Sequence, residues 1–600
     1  MKKILLTHLF VILTLLSSVA QTHNEYSISF ENAVHHEARV EATFDNLENK
    51  VLSLRMSRTS PGRYALHEFA KNVYDVKAYN SKGNSLSVTQ PNPHQWDISG
   101  HDGTVKVIYT LFANRGGGTY AQVDETHAHL NIPATFMYAP TLSQRPIRVT
   151  FNVREDLNWK VATQLKLISG TTYFAPNLHY FMDSPTEVSD FSLREFPVES
   201  NGKTYSIRFA LHHNGTEKEF DEYFERTKKV VLQEMAVYGE LPVFDFGTYT
   251  FLGCYIPNAS GDGMEHRNST ILTSTRSLAN GGMEGNIGTV SHEFFHAWNV
   301  ERIRPLSLEP FSYEEANMSG ELWFAEGFTS YYTRLILCRA GIITPENYVD
   351  GLAGSLNYVW NSPARKYRNP IEMSYQAPFV DAARSVDPVN RENYFISYYS
   401  YGSVLGLALD LSLRKNGLTM DGYMKLAWET YGKQEIPYTV RDMQKVLEQY
   451  AGADFGQAFF SKYIYDSQMP DYAELMASVG ISFETANPET PYFGARTRVQ
   501  EGKTTVVSNP FEGSSAYEAG LDNGDELISI GGTSLEGIDN LADFLKENFK
   551  VGEQVQVKLN RYGNDMEKSM TLKADPSYKT SIKGGDKKAD KLRANWLGGK

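Results

Sequence analysis

The sequence predicts a multidomain α+β protein, and three features carry that prediction. The chain has 600 residues, more than one hydrophobic core supports, because domains usually stop growing near about 250–300 residues. Apolar and polar residues alternate through its first third and then, near residue 217, give way to helical spacing. After "TANPETPYFG", a proline- and glycine-bearing stretch that reads as a linker, short strand-like runs return.

Residues 1–20 read as a signal peptide. Lys2 and Lys3 precede the apolar run "ILLTHLFVILTLL", and Ser18-Val19-Ala20 supplies a small-x-small cleavage pattern before Gln21. The run is short for a bilayer and is interrupted by Thr7, His8 and Thr14, so it predicts export rather than anchoring. A periplasmic or secreted protein with no membrane span after signal removal is expected. Residues 21–195 read as an all-β domain, with Tyr26, Ile28 and Phe30, then Val40, Ala42 and Phe44, then Val105, Val107, Tyr109 and Leu111 in alternation.

Residues 196–340 form a mixed domain. Phe220, Tyr223, Phe224, Val231, Met235 and Tyr238 mark a helix that Gly239 and Pro242 stop, and "TYTFLGCYI" reads as a strand. The segment "SHEFFHAWNV" and the apolar "SGELWFAEGFTSYYTRLIL" supply two further helices. Helical stretches fill residues 341–487. Residues 488–576 read as a compact β-rich module, with the strands "TTVVSNP", "DELISIGG" and "QVQVKLNRYG" around the helix "LADFLKENF". Residues 577–600 are polar and lysine-rich and read as a mobile tail.

Composition narrows the function classes. Hydrophobic residues make up 41% and aromatics 12%, which describes a folded protein, and a net charge of -13 excludes a general nucleic-acid binder, which needs a basic footprint. The only cysteines are Cys254 and Cys338, neither beside the cleavage site, so a lipidated N-terminal cysteine is not available. Spacing leaves open whether they pair.

The segment "SHEFFHAWNV" holds His292, Glu293 and His296. Residues i and i+4 of a helix lie one above the other, so both imidazoles would share a face with a carboxylate beside them, a geometry that can hold zinc. A catalytic zinc needs a third protein ligand and one open position. Glu301, Glu309, Glu314, Glu315, Glu321 and Glu326 follow, and only Glu321 and Glu326 fall on a predicted helix. At about 100° per residue their directions differ by about 140°, so one must be chosen. Glu321 sits at the helix start, where the dipole alone explains a carboxylate. Glu326 sits among apolar neighbours in "FAEGF", where an unpaired carboxylate would be penalised, and is the chosen ligand.

These segments also carry a resemblance. "HEFFHAWNVERIRP", followed by "LWFAEGFTSYY" and preceded by "GDGMEHRNST", is similar to the glycyl aminopeptidase family of zinc metallopeptidases, relatives of the aminopeptidase-N-type enzymes. "SPGRYALHEFAKNV" resembles that family's β-domain signature, and the segment from about 490 to 575 resembles a PDZ domain. The resemblance implies a thermolysin-like zinc metallopeptidase domain, one Zn2+ per chain on His292, His296 and Glu326, and Glu293 as general base. It implies an oxyanion donor in "SYYSYGSVLGLALDL", where Tyr399, three before Gly402, matches and Tyr398 competes. It also implies that Glu265 of "GDGMEH" binds the substrate amine.

Two positions depart from the pattern: Asp262 stands where the family usually has glycine and Tyr401 where it commonly has lysine. The spacer between His296 and Glu326 is longer than in aminopeptidase-N-type relatives, as an insertion around "LSLEPFSYEEANMSG" explains. Peptides with a free N-terminus are the implied substrates, glycine or alanine first, and a peptide C-terminus is the ligand implied for the PDZ-like groove, whose loop would be "YFGAR". Two other readings stay open. One is a zinc endopeptidase that captures substrates with the PDZ-like module; the other is a noncatalytic peptide-binding adaptor, for which Glu293 would have no use. His127 and His129 share one side of a strand but lack a third ligand, and "GGME" at Glu284 reads as a glycine-rich loop.

Overall fold

The alternation in the first third of the chain becomes a seven-stranded sheet. The strand Asn24–Asn32 buries Tyr26, Ile28 and Phe30 and pairs antiparallel with Glu37–Phe44 and parallel with Ile147–Asn152. Two smaller sheets complete an all-β domain whose core includes Val40, Phe44, Val107, Leu111, Val149 and Phe151. The computed structural model describes residues 22–380, 387–584 and 586–600; the signal-peptide reading of residues 1–20 lies outside the described residues. No helix among the described residues is long and apolar enough to cross a membrane.

The second domain is built on a five-stranded mixed sheet in the order Ser192–Ser200, Lys203–His213, Thr248–Tyr255, Ser269–Ser274, Asp262–His266. Its first strand begins at Ser192, so the boundary expected after residue 195 falls a few residues too late. Between the parallel strands Lys203–His213 and Thr248–Tyr255 runs the helix Glu217–Tyr238, started by a Thr216/Glu219 capping box and stopped at Gly239 with φ +85°. Its Phe220, Tyr223, Phe224, Val231 and Tyr238 pack into the core, as their spacing predicts. The strand Asp262–His266 folds back antiparallel on Ser269–Ser274 and forms the sheet edge.

Helices cover this sheet on the side of the histidines. The helix Ile287–Phe295 carries His292 and Glu293, and His296 continues it with φ -64° and ψ -17°. It packs beside the helix Gly327–Arg339, which in turn crosses Tyr398–Lys415. That second crossing is backbone against backbone. A Cβ added at Gly402 would lie 1.8 Å from the Trp323 carbonyl oxygen, and one at Gly327 would lie 2.3 Å from Gly402 Cα. Only glycine at both positions lets the helices meet this closely, and the meeting fixes where the start of Tyr398–Lys415 stands.

The β-rich module has its strands and its helix Leu541–Asn548 where the sequence predicts them. Its attachment differs from a simple C-terminal appendage. The strand Ile481–Thr485 before it pairs antiparallel with Tyr578–Ile582 after it, so the module is inserted between two neighbouring strands. The expected mobile tail is therefore ordered. Residues Tyr578–Ile582 form that strand and Lys587–Leu597 form a helix. Trp596 is fully buried and donates from Nε1 to the Tyr331 hydroxyl at 2.9 Å, while Arg339 Nε donates to the Trp596 carbonyl. The lysine-rich composition hides Trp596 and Leu597, which are buried in the main core and dock the segment.

A methyl group at residue 402 should force the two helices apart. Gly402→Ala is expected to destabilise the protein by about 3 kcal/mol. Urea unfolding of the two forms measures the difference, and an unchanged midpoint would contradict the backbone contact.

Candidate active site

His292 and His296 project from the histidine helix with ring centroids 4.8 Å apart, and each is fixed through Nδ1. His296 Nδ1 donates to the Asn299 carbonyl at 2.6 Å and His292 Nδ1 to Thr333 Oγ1 at 3.1 Å. With Nδ1 protonated and occupied, Nε2 is the free donor atom on both rings. Both Nε2 atoms face Glu326 Oε2, at 3.4 Å for His292 and 3.2 Å for His296.

Glu326 lies between the short helix Leu322–Ala325 and Gly327–Arg339. It is buried, and its Oε2 has no hydrogen-bonding partner among the described residues. Tetrahedral bonds of about 2.0–2.2 Å put donor atoms roughly 3.3–3.6 Å apart; the His292 separation of 3.4 Å falls inside that range and the His296 separation of 3.2 Å just below it. The residues present fit a zinc ion. Glu321 instead accepts from Ser307 and Ser319 at the helix start, in line with its helix-start reading.

Two more carboxylates adjoin this trio. One ligand atom each from Glu265, Glu293 and His296 lie within 4.8 Å of one another. Glu293 is buried against the edge strand, where a Cβ on Gly263 would come 2.2 Å from its Oε1, and its Oε2 lacks a partner among the described residues. Burial and then the charges of Glu265 and Glu326 raise the Glu293 pKa well above the usual carboxylate range, opposed by His296. Burial lowers the His296 pKa, yet Glu326, Glu265 and Glu293 together push it up to about 10. So much buried negative charge around two imidazoles suits a cation.

Tyr399 is half-buried, with its ring 5.9 Å from that of His292, whereas Tyr398 is fully buried and stacks on Tyr399. The sequence-predicted residues His292, Glu293, His296, Glu326, Glu265 and Tyr399 therefore gather at one place. His127 and His129 sit apart from them on a buried Glu187, at 3.4 and 3.1 Å. Glu284 is exposed in a single helical turn. Cys254 and Cys338 are both buried and do not pair.

The sequence reading missed a loop of the N-terminal β domain. Arg63 donates through Nε to Thr119 Oγ1 and through Nη2 to Asp262 and the Gly263 carbonyl. Asp262 also accepts from the Gly118 backbone at 2.9 Å. The unusual acid at position 262 thus clasps the edge strand to two loops of the β domain. Next to Arg63, the Tyr64 hydroxyl donates to Glu326 Oε1 at 2.8 Å. Both residues belong to "SPGRYALHEFAKNV", but nothing local in that stretch tells which residues it will touch.

Family models match at residues 25–190, the peptidase M61 N-terminal domain, and at 285–405, M61 glycyl aminopeptidase. The chain belongs to the M61 glycyl aminopeptidase family of metallopeptidases. This family member also carries a PDZ domain, matched at residues 506–561. A crystal structure of an aminopeptidase N family protein from Idiomarina loihiensis shares the fold, with a TM-score of 0.83 at 24% identity over 96% of this chain and 100% of that one. An M1 zinc metallopeptidase from Deinococcus radiodurans is 13% identical over 75% of this chain and 95% of that one, with a TM-score of 0.44. The carboxy-terminal processing protease CtpB of Bacillus subtilis is 40% identical over 80 residues, and that match spans 13% of this chain and 16% of CtpB.

The hydroxyl that holds His292 can be removed without changing side-chain size. Thr333→Val is expected to weaken zinc affinity about tenfold. Competition with a chromogenic chelator measures it, and an unaltered dissociation constant would deny the hydrogen bond that role.

Proposed function

We propose that this chain is a zinc-dependent aminopeptidase that releases small N-terminal residues, glycine or alanine, from peptides with a free amine. The observation that carries the proposal is Glu265, a buried carboxylate on an edge strand beside Glu293 and His296. A carboxylate there answers an α-ammonium through charge-assisted hydrogen bonds. The backbone at Gly62 stands over it, so close that a Cβ would lie 3.1 Å from Glu265 Oε2. A cleft capped at that end favours a chain terminus over the middle of a polypeptide, and so an aminopeptidase over an endopeptidase. The family's description as a glycyl aminopeptidase supports a small first residue.

In this reading His292, His296 and Glu326 hold one Zn2+ per chain, which supplies Lewis acidity for water and for the scissile carbonyl. Glu293 Oε2 takes the proton of the attacking water and passes it to the leaving amine nitrogen. The Tyr399 phenol donates to the oxyanion; its place beside His292 and its partial exposure support it over the buried Tyr398. An extended substrate advances about 3.3 Å per residue. One lying along Asp262–His266 would set its amine at Glu265 and its first peptide bond beside Gly263 and Glu293.

The PDZ domain would receive a peptide C-terminus at the loop Phe493–Arg496, which leads into Thr497–Gln500, the outer strand of its sheet. Residues 1–20 assign the enzyme to the periplasm or the exterior.

The wild-type protein is expected to contain one zinc by elemental analysis and to cleave glycyl and alanyl chromogenic substrates. Glu293→Gln should keep the metal and lose about a thousandfold in kcat. Glu265→Gln should lower kcat/KM about 30-fold, equivalent to ~2 kcal/mol of a hydrogen bond to a charged group. N-acetylated peptides should resist cleavage; internal cleavage of them at full rate would replace the aminopeptidase with an endopeptidase.

A further inference from the structure

We infer that Tyr64, a residue of the N-terminal β domain, is a positioning residue for the metal ligand Glu326. The inference rests on the metallopeptidase reading and adds to it a structural dependence of the metal site on a second domain.

The two oxygens of Glu326 have separate surroundings. Oε2 faces both imidazole Nε2 atoms, whereas Oε1 accepts from the Tyr64 hydroxyl at 2.8 Å. Both side chains are almost fully buried, so water does not substitute for that donor. A carboxylate that gives one oxygen to a metal needs a hydrogen bond on the other, or it can rotate and lose its aim. Residues 64 and 326 are far apart in sequence, and no closer element offers Oε1 a hydrogen among the described residues.

Tyr64 is held for this role from both sides. Its ring meets Tyr398 edge-on, with centroids 6.0 Å apart and planes at 87°, and Tyr398 in turn stacks on Tyr399. Its neighbour Arg63 is tied to Asp262 and Gly263, and Gly62 turns with φ +77° close against Glu265. Three consecutive residues of one loop therefore touch the edge strand, the amine-facing carboxylate and the metal ligand. Of the three, Tyr64 alone reaches the ligand set.

Tyr64→Phe keeps the ring and its packing and removes only the donor. Zinc affinity should fall tenfold or more by chelator competition. The melting temperature of the metal-free protein and KM at saturating zinc should stay near wild type. Arg58→Ala serves as the docking control. Arg58 pairs with Glu68 and donates to the Glu314 carbonyl across the same domain boundary, away from the metal ligands. It should lower the melting temperature and leave the zinc dissociation constant unchanged. Equal zinc affinity in wild type and Tyr64→Phe would overturn the inference, as would an equal loss in Arg58→Ala, which would assign the effect to docking. A wild-type chain that takes up no zinc would overturn the metallopeptidase reading along with it.

Discussion

Two imidazoles and three carboxylates share one buried volume, and that concentration of charge governs what surrounds it. Carboxylates removed from water must be compensated, because their desolvation is expensive and their mutual repulsion is poorly screened. With the metal bound as proposed, His292 and His296, whose Nδ1 atoms are committed to Thr333 and Asn299, would meet it as neutral Nε2 donors and add no compensating charge of their own. In the proposed reading a divalent cation offsets two of the three negative charges, and the α-ammonium of an arriving peptide offsets the third. The site would then approach neutrality only with substrate in place, which couples binding of the terminus to the electrostatics of the metal.

The same site is walled by backbone rather than by side chains. Gly263 admits Glu293, Gly62 lies against Glu265, and Gly118 stands where a Cβ would come 2.7 Å from that of Met264. The pair Gly327 and Gly402 does the equivalent job one layer out. Backbone walls hold catalytic groups more rigidly than long side chains do, because they have no rotamers to lose.

The parts of this architecture that depend on local periodicity were legible in the sequence. The alternation of Tyr26, Ile28 and Phe30, and the helical spacing from Phe220 to Tyr238, gave the right element types. Glu326 was legible for a different reason: a carboxylate among apolar residues needs a partner, and the structure puts two imidazoles opposite it. What could not be read were contacts between distant segments. Tyr64 carries no local mark of its bond to Glu326, and the acid at Asp262 has its reason only in Arg63, which lies far away in sequence. The average polarity of segment 577–600 masks the buried Trp596 and Leu597 that anchor its helix.

The pairing of Ile481–Thr485 with Tyr578–Ile582 brings the entry and exit of the PDZ domain side by side. A domain hung from one strand can swivel about a single covalent tether, whereas this one is held by two adjacent strands and is also docked on the helices, with Asn393 donating to the Pro510 carbonyl. The strand Tyr578–Ile582 is tied to the helical layer by the Thr580 hydroxyl, which donates to the Val349 carbonyl, and the module itself meets that layer where Glu512 pairs with Lys366 and its backbone amide donates to Asn393. Two strands and a docked face thus join the module to the helical layer rather than leaving it a loosely swinging attachment.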